Sequence, residues 1–340
     1  MSGHESSTTP DRRTFLAATA ATATAAAATL RSPSLALGNS VNAPKAIEII
    51  DAHQHLWDLE RFRLPWTDGN ENLAKNYLIP EYRKAVEGQN VVKSIYMEVG
   101  MANELQTAEA EWLIELCNDD GNDTVAGVIA GNPLADTFEA YVRRFAKEDC
   151  IKGLRHLLQI PESPKGMCLG KDFQKGVQLL GELGLRFDIC IRAPEIEDGV
   201  ELVKACPNTR FVLDHCGNAD PAAFSDSPKY DREPQHKVGQ WKRAIDSMAQ
   251  QDNVICKISG IIARVVPNQW SADDLAPIVN HCLDCFGPDR VIFASDWPVC
   301  TEGAPLSKWI GALKEIVASR PEAEQRKLFS ETAVKFYELD

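Results

Sequence analysis

The chain has 340 residues, 44% of them hydrophobic and 25% charged, a balance that suits a globular protein burying a large core in one or two domains. Its net charge of −13 argues against nucleic acid or an anionic membrane surface as a partner, and leaves small neutral ligands open. Ten cysteines are scattered with one CxxC pair, Cys282 and Cys285; that spacing alone is weak support for a zinc or redox site, and buried free thiols are the simpler reading.

Residues 1–40 read as a leader and linker rather than as fold. Arg12 and Arg13, within the segment Asp11–Leu16, form a twin-arginine pattern ahead of the uncharged, Ala/Thr-rich run Ala17–Leu30. Ser34-Leu35-Ala36 then offers small residues for a signal peptidase. This is the pattern of a Tat-type export signal, which predicts a folded, periplasmic protein with no membrane anchor once the leader is removed. A disordered Ala-rich tail is the alternative.

From residue 46 to 340, short apolar strands alternate with amphipathic helices. The strands are expected at Glu48–Trp57, Val92–Val99, Thr124–Ala130, Ile151–Leu158, Arg186–Ile191, Arg210–Asp214, Asn253–Ser259 and Arg290–Ser295. Helices are expected at Thr107–Asn118, Phe138–Lys147, Lys171–Leu183, Lys237–Gln250, Leu275–Phe286, Leu306–Ser319 and Glu322–Glu338. Near-continuous apolar strands of this kind belong to a parallel sheet covered by helices, and eight units point to a single-domain α/β fold, a (β/α)8 TIM barrel. A doubly wound open sheet is the runner-up, but no GxGxxG follows the first strand. The segment Leu59–Pro80 breaks the rhythm and reads either as a lid or substrate-contacting loop, or as an ordinary insertion.

Loops at the C-terminal ends of barrel strands build active sites, and polar residues gather there. Strand one carries His53 and His55, two apart and therefore on one face of a strand. Strand four ends in Arg155-His156, strand six in Asp214-His215-Cys216-Gly217, and strand eight in Ser295-Asp296-Trp297-Pro298. A charged Asp296 after an apolar run needs a cation, a metal or hydrogen bonds if buried, although an N-cap role is also open. His236 and His281 fall in helix-like stretches and read as surface residues.

The motifs Asp51-Ala52-His53-Gln54-His55, Leu213-Asp214-His215-Cys216-Gly217, Cys256-Lys257-Ile258-Ser259-Gly260 and Ser295-Asp296-Trp297-Pro298 resemble the amidohydrolase superfamily. Arg61–Trp66 and Ser295–Cys300 resemble more closely its sugar-lactonase branch, the L-fuconolactone and L-rhamnonolactone hydrolases. The resemblance runs from Ile47 to the C terminus. It implies a hydrolase of carboxylic esters in carbohydrate metabolism, with His53, His55, His215 and Asp296 at the reaction centre. Asp296 would be the general base, and the histidines would polarise the lactone carbonyl directly or through one divalent metal ion, zinc first. Two-metal members carry a lysine or glutamate on strand four and a histidine on strand five. Here strand five ends in Cys190-Ile191-Arg192, so at most one ion is expected, and a metal-independent enzyme remains open. The resemblance also puts His156, Lys257 and Glu98 near the substrate, with a buried ion pair as the alternative for Lys257. Trp57 and Trp66 are candidate sugar-stacking faces, with core packing as their alternative. A small sugar lactone is the expected partner, and a homodimer is compatible with it. Rival readings are an aromatic-pathway lactone hydrolase of the 2-pyrone-4,6-dicarboxylate or sulfomuconolactone type, which calls for an arginine cluster where only Arg63, Arg155 and Arg192 offer themselves, and a metal-dependent decarboxylase.

Overall fold

The computed structural model describes residues 46–339; the twin-arginine segment lies outside them. Among the described residues, eight parallel strands follow one another around a single sheet in sequence order. They are β1 (Ile49–Gln54), β2 (Val91–Met97), β3 (Thr124–Ala130), β4 (Ile151–Leu157), β5 (Arg186–Cys190), β6 (Arg210–Leu213), β7 (Val254–Ile258) and β8 (Val291–Phe293). Each strand expected from its apolar run is present, shortened by up to four residues where the chain leaves the ladder. The sheet closes on itself through a parallel bridge between Gln54 and Trp297, with the His55 amide donating to the Trp297 carbonyl at 2.8 Å and the Asp296 amide to the His53 carbonyl at 2.9 Å. The fold is a (β/α)8 barrel.

A helix follows every strand: α1 (Ile79–Val86), α2 (Gln106–Cys117), α3 (Phe138–Phe145), α4 (Lys171–Glu182), α5 (Ile196–Ala205), α6 (Val238–Ala249), α7 (Ala272–Phe286) and α8 (Leu306–Ile316). Two of them, α1 and α5, were not anticipated; α1 starts with Ile79-Pro80 inside what reads as a loop, because proline is well tolerated in a first helical turn. The long Leu59–Pro80 segment is not loose. Asn70 and Asn72 reach across to Glu302 and Thr301 beyond β8, and Trp57 and Tyr77 form an antiparallel bridge.

Alternation of side chains divides the apolar residues into two layers. Ile50, Ala52, Ile95, Met97, Ala126, Val128, Ile292 and Ala294 fill the barrel interior with Phe336 and Tyr337 of the C-terminal segment. Tyr96, Leu154, Phe187, Leu213 and Phe293 face outward and pack under the helices. No helix among the described residues is long and apolar enough to cross a membrane. His236 departs from expectation. It precedes α6, is buried, and accepts a hydrogen bond from the Asp220 amide at 2.8 Å.

Candidate active site

The strand ends converge as their spacing predicts. His53 on β1 and His55 just beyond it present Nε2 atoms 3.1 Å apart. The Asp296 Oδ1 lies 3.3 Å from His55 Nε2, 3.6 Å from His53 Nε2 and 4.0 Å from His215 Nε2. All four side chains are almost fully buried. His215 and Asp296 both adopt left-handed backbone conformations, φ 57° in each, which are costly for non-glycine residues and turn these side chains sharply inward where the strands end.

Second partners fix the imidazoles. His55 Nδ1–H donates to the Met97 carbonyl at 2.9 Å, so its Nε2 presents a lone pair to the centre. His53 has Asp214 Oδ1 3.6 Å from Nδ1, and Arg155 Nη1 lies 3.3 Å from its Nε2. His215 Nδ1 lies 2.9 Å from the Ser259 hydroxyl. Burial lowers the affinity of His53 and His215 for a proton; for His53 the nearby Lys257 charge adds to the effect, against Asp214. Burial alone would raise the Asp296 carboxyl; protons carried toward it by the His215, His55 and His53 imidazoles would instead pull it below the ordinary carboxylate range.

Beneath this centre lies a layer of buried charges that the sequence did not show as a unit. Lys257 on β7 pairs with Asp188 on β5 and, at 3.1 Å, with Asp214 after β6. Arg155 on β4 donates through Nε to Glu98 and through Nη2 to the Glu98 backbone carbonyl, and reaches Asp214 at 3.4 Å. Burial would deprotonate Lys257, but Asp188 and Asp214 outweigh it and raise its pKa. Burial likewise pushes Asp214 up, and Lys257 and His53 reverse the sign and pull it well below its usual value.

This layer redistributes the residues expected at the substrate. Lys257 is wholly enclosed by its aspartates, which is the ion-pair alternative and leaves it no path to a sugar hydroxyl. Glu98 is tied to Arg155 and to the Gly100 amide, and so supports the site from below. Trp57 is a core residue, fully buried, its indole donating to the Lys75 carbonyl. Trp66 remains 46% exposed and is anchored by a bond from its indole to the Val99 carbonyl. His156 is held through Nδ1–H on the Gly131 carbonyl, while its buried Nε2 has no hydrogen-bond partner, which leaves it a candidate for a ligand group.

The donor set fits a single cation. His55 must present a lone pair, the Arg155 guanidinium favours the same for His53, and both face the Asp296 carboxylate; three electron-rich atoms within 3.1–3.6 Å repel unless a proton or metal ion lies between them. Ligands about 2.1 Å from a common tetrahedral centre stand roughly 3.4 Å apart, close to these separations. His53, His215 and Asp296 all offer ligand atoms within 4.8 Å of one another.

The chain matches the amidohydrolase family model over residues 50–339. It is 27% identical to an L-fucono-1,5-lactonase of Burkholderia multivorans, covering 85% of this chain and 96% of that one. It is 26% identical to an L-rhamnono-gamma-lactonase of Scheffersomyces stipitis, over 86% of this chain and 99% of that one. A crystal structure of an amidohydrolase from Burkholderia multivorans with bound zinc superposes with a TM-score of 0.74 at 26% identity, covering 86% of this chain and all of the other. The barrel, the histidines and aspartate at its strand ends, and these likenesses agree: the chain belongs to the amidohydrolase family, with the sugar lactonases among its relatives.

Proposed function

We propose that the protein is a lactone hydrolase that opens a sugar-derived lactone, such as L-fuconolactone or L-rhamnonolactone, to the aldonic acid. The observation that carries this reading is the meeting of the His53, His55 and His215 Nε2 atoms at the Asp296 carboxylate, in a site whose relatives include two sugar lactonases. Asp296, ionised and adjacent, takes the proton from the attacking water and returns it to the leaving alkoxide. Without an ion, His215 would donate from Nε2 to the carbonyl oxygen, with Ser259 donating to its Nδ1, and so stabilise the developing oxyanion; with an ion, Nδ1–H would donate to Ser259 and Nε2 would be the ligand. Asp214 and Arg155 hold His53 in orientation. His53, His55, His215 and Asp296 would hold one divalent ion, zinc by preference, which would supply Lewis acidity toward the carbonyl. The fixed positive charge of Arg155 beside His53 disfavours a second ion.

Of the arginines singled out from the sequence, Arg63, Arg155 and Arg192 are each paired with a carboxylate, Asp68, Glu98 and Glu195, which favours a neutral substrate over a dicarboxylate; Arg264, near Asp296, is bonded to the neutral Asn218 and Gln235. Asn103, Gln106 and Asn132 line a recess beside Gly131, next to His156, with groups suited to hydroxyls. With the twin-arginine segment removed, we place the mature enzyme in the periplasm.

A pH-indicator assay over sugar lactones, with and without chelator, tests the reading. Ring opening of at least one lactone is expected, with kcat falling by about a thousandfold in Asp296→Asn. Failure on every lactone, or carbon dioxide release from an aromatic acid, would replace the lactonase with another reaction.

A further inference from the structure

The CxxC pair does not act as a pair. Cys282 on α7 is fully buried against the thiols of Cys216 and Cys256, while Cys285 is only partly buried and points toward α6. There it meets two other donors. Cys285 Sγ lies 3.0 Å from Asp246 Oδ1 and 3.6 Å from His281 Nε2, and that Nε2 lies 3.1 Å from the same Oδ1. His281 and Cys285 are four residues apart on α7, so they share a face, and Asp246 reaches them from the adjoining helix α6.

We propose that Asp246, His281 and Cys285 form a second, peripheral site for one zinc-class divalent cation, with water as the fourth ligand. Ligands about 2.0–2.3 Å from a tetrahedral centre stand roughly 3.3–3.8 Å apart, so the three donors need to move by only a few tenths of an ångström. Imidazole, thiolate and carboxylate together select zinc or cobalt over magnesium and calcium, which want oxygen alone. The charges balance: a thiolate and a carboxylate neutralise the ion, Asp284 adds attraction and Lys242 opposes it.

Without the ion, burial and Asp246 push the Cys285 thiol up to about 12, and its proton bridges to the carboxylate. Binding displaces that proton to solvent as the Sγ–metal bond forms. His281 Nε2 exchanges its 3.3 Å contact with the Lys242 carbonyl for the ion, carrying its proton on Nδ1 instead. Asp246 is half-exposed, giving the ion a way in. The site shares no residue with the catalytic centre and would tie α6 to α7.

Cobalt titration of chelator-stripped protein tests this. The equivalent bound outside the catalytic centre should develop thiolate-to-cobalt charge-transfer absorption in the near ultraviolet. That absorption should vanish in Cys285→Ser, and the affinity should fall at least about tenfold in His281→Gln and Asp246→Asn. Lactone hydrolysis should be unchanged in Cys285→Ser, and the absorption should survive in Asp296→Asn. Asp246→Asn keeps the thiol and its packing, so it carries the test should Cys285→Ser not fold. No thiolate absorption at any cobalt concentration would overturn the proposal. So would absorption that persists in Cys285→Ser and disappears in Cys190→Ser, since Cys190 lies beside Asp214 and His215.

Discussion

His215 owes its position to the absence of one methyl group. A Cβ on Gly260 would fall 2.5 Å from the Cβ, Cγ and Nδ1 of His215, and Gly260 itself sits at φ 69°. Gly260→Ala therefore pushes the imidazole off Ser259 and away from Asp296. We expect kcat/KM for the lactone to fall by about tenfold to a hundredfold and stability by ~1–3 kcal/mol, read by steady-state kinetics and urea denaturation. Glu109 makes a different prediction. It is buried, accepts from Tyr96 and from the Val99 amide through one oxygen, and burial with the neighbouring Glu98 raises its pKa to about 8. Its folded pKa is above its unfolded value, so the folded state binds the extra proton between about pH 4.5 and 8, and stability falls as pH rises through that window. Glu109→Gln should flatten that slope, by an amount on the order of a few kcal/mol across the window, measured as denaturation midpoints against pH.

Between elements, the charges inside the barrel link strands that are not neighbours. Lys257 joins β7 to β5 and to the end of β6, and Lys257→Met strands Asp188 without a cation and leaves Asp214 only the Arg155 cation. The expected loss is about 3–5 kcal/mol, with part of it restored in Lys257→Met/Asp188→Leu, which removes the stranded charge. If the single variant is as stable as the parent, the pair contributes only orientation. This layer marks the limit of what the chain reveals in one dimension. The strands were legible because strands buried on both faces must be apolar along most of their length. His53, His55, His215 and Asp296 were legible because polar groups gather where several of these apolar runs end. That Arg155 would meet Glu98, or Lys257 meet Asp188, depends on which inward positions share a level of the barrel. Those residues stand 57 and 69 positions apart, and no local spacing encodes the match. The same holds for Trp57, whose place in the core is set by Trp66 and Tyr77 arriving edge-on from a segment without periodicity.

At the scale of the molecule, the C-terminal segment stops the end of the barrel opposite the site. The Phe336 carbonyl accepts from Arg186 and Arg210 at 2.7 Å each, Glu338 binds both guanidinium groups, and the Arg210 guanidinium lies over the Phe336 ring. Phe336→Ala should cost about 3–5 kcal/mol in chemical denaturation while kcat at low temperature stays near that of the parent. A loss of kcat equal to that of Asp296→Asn would mean that the plug and the site are not independent.

The join between β1 and β8 has a consequence for how the enzyme comes into being. The Asp51 carboxylate accepts from the Ser295 amide at 2.8 Å, and the two ends of the barrel sequence contribute His53, His55 and Asp296 to one centre. Chemistry is therefore withheld until the last strand has been synthesised and docked on the first. A chain released early is silent, so turnover counts only finished molecules. A circular permutant of residues 46–339, opened at the exposed Pro164–Lys165 turn with residues 46 and 339 linked, keeps that join inside continuous chain and should retain activity.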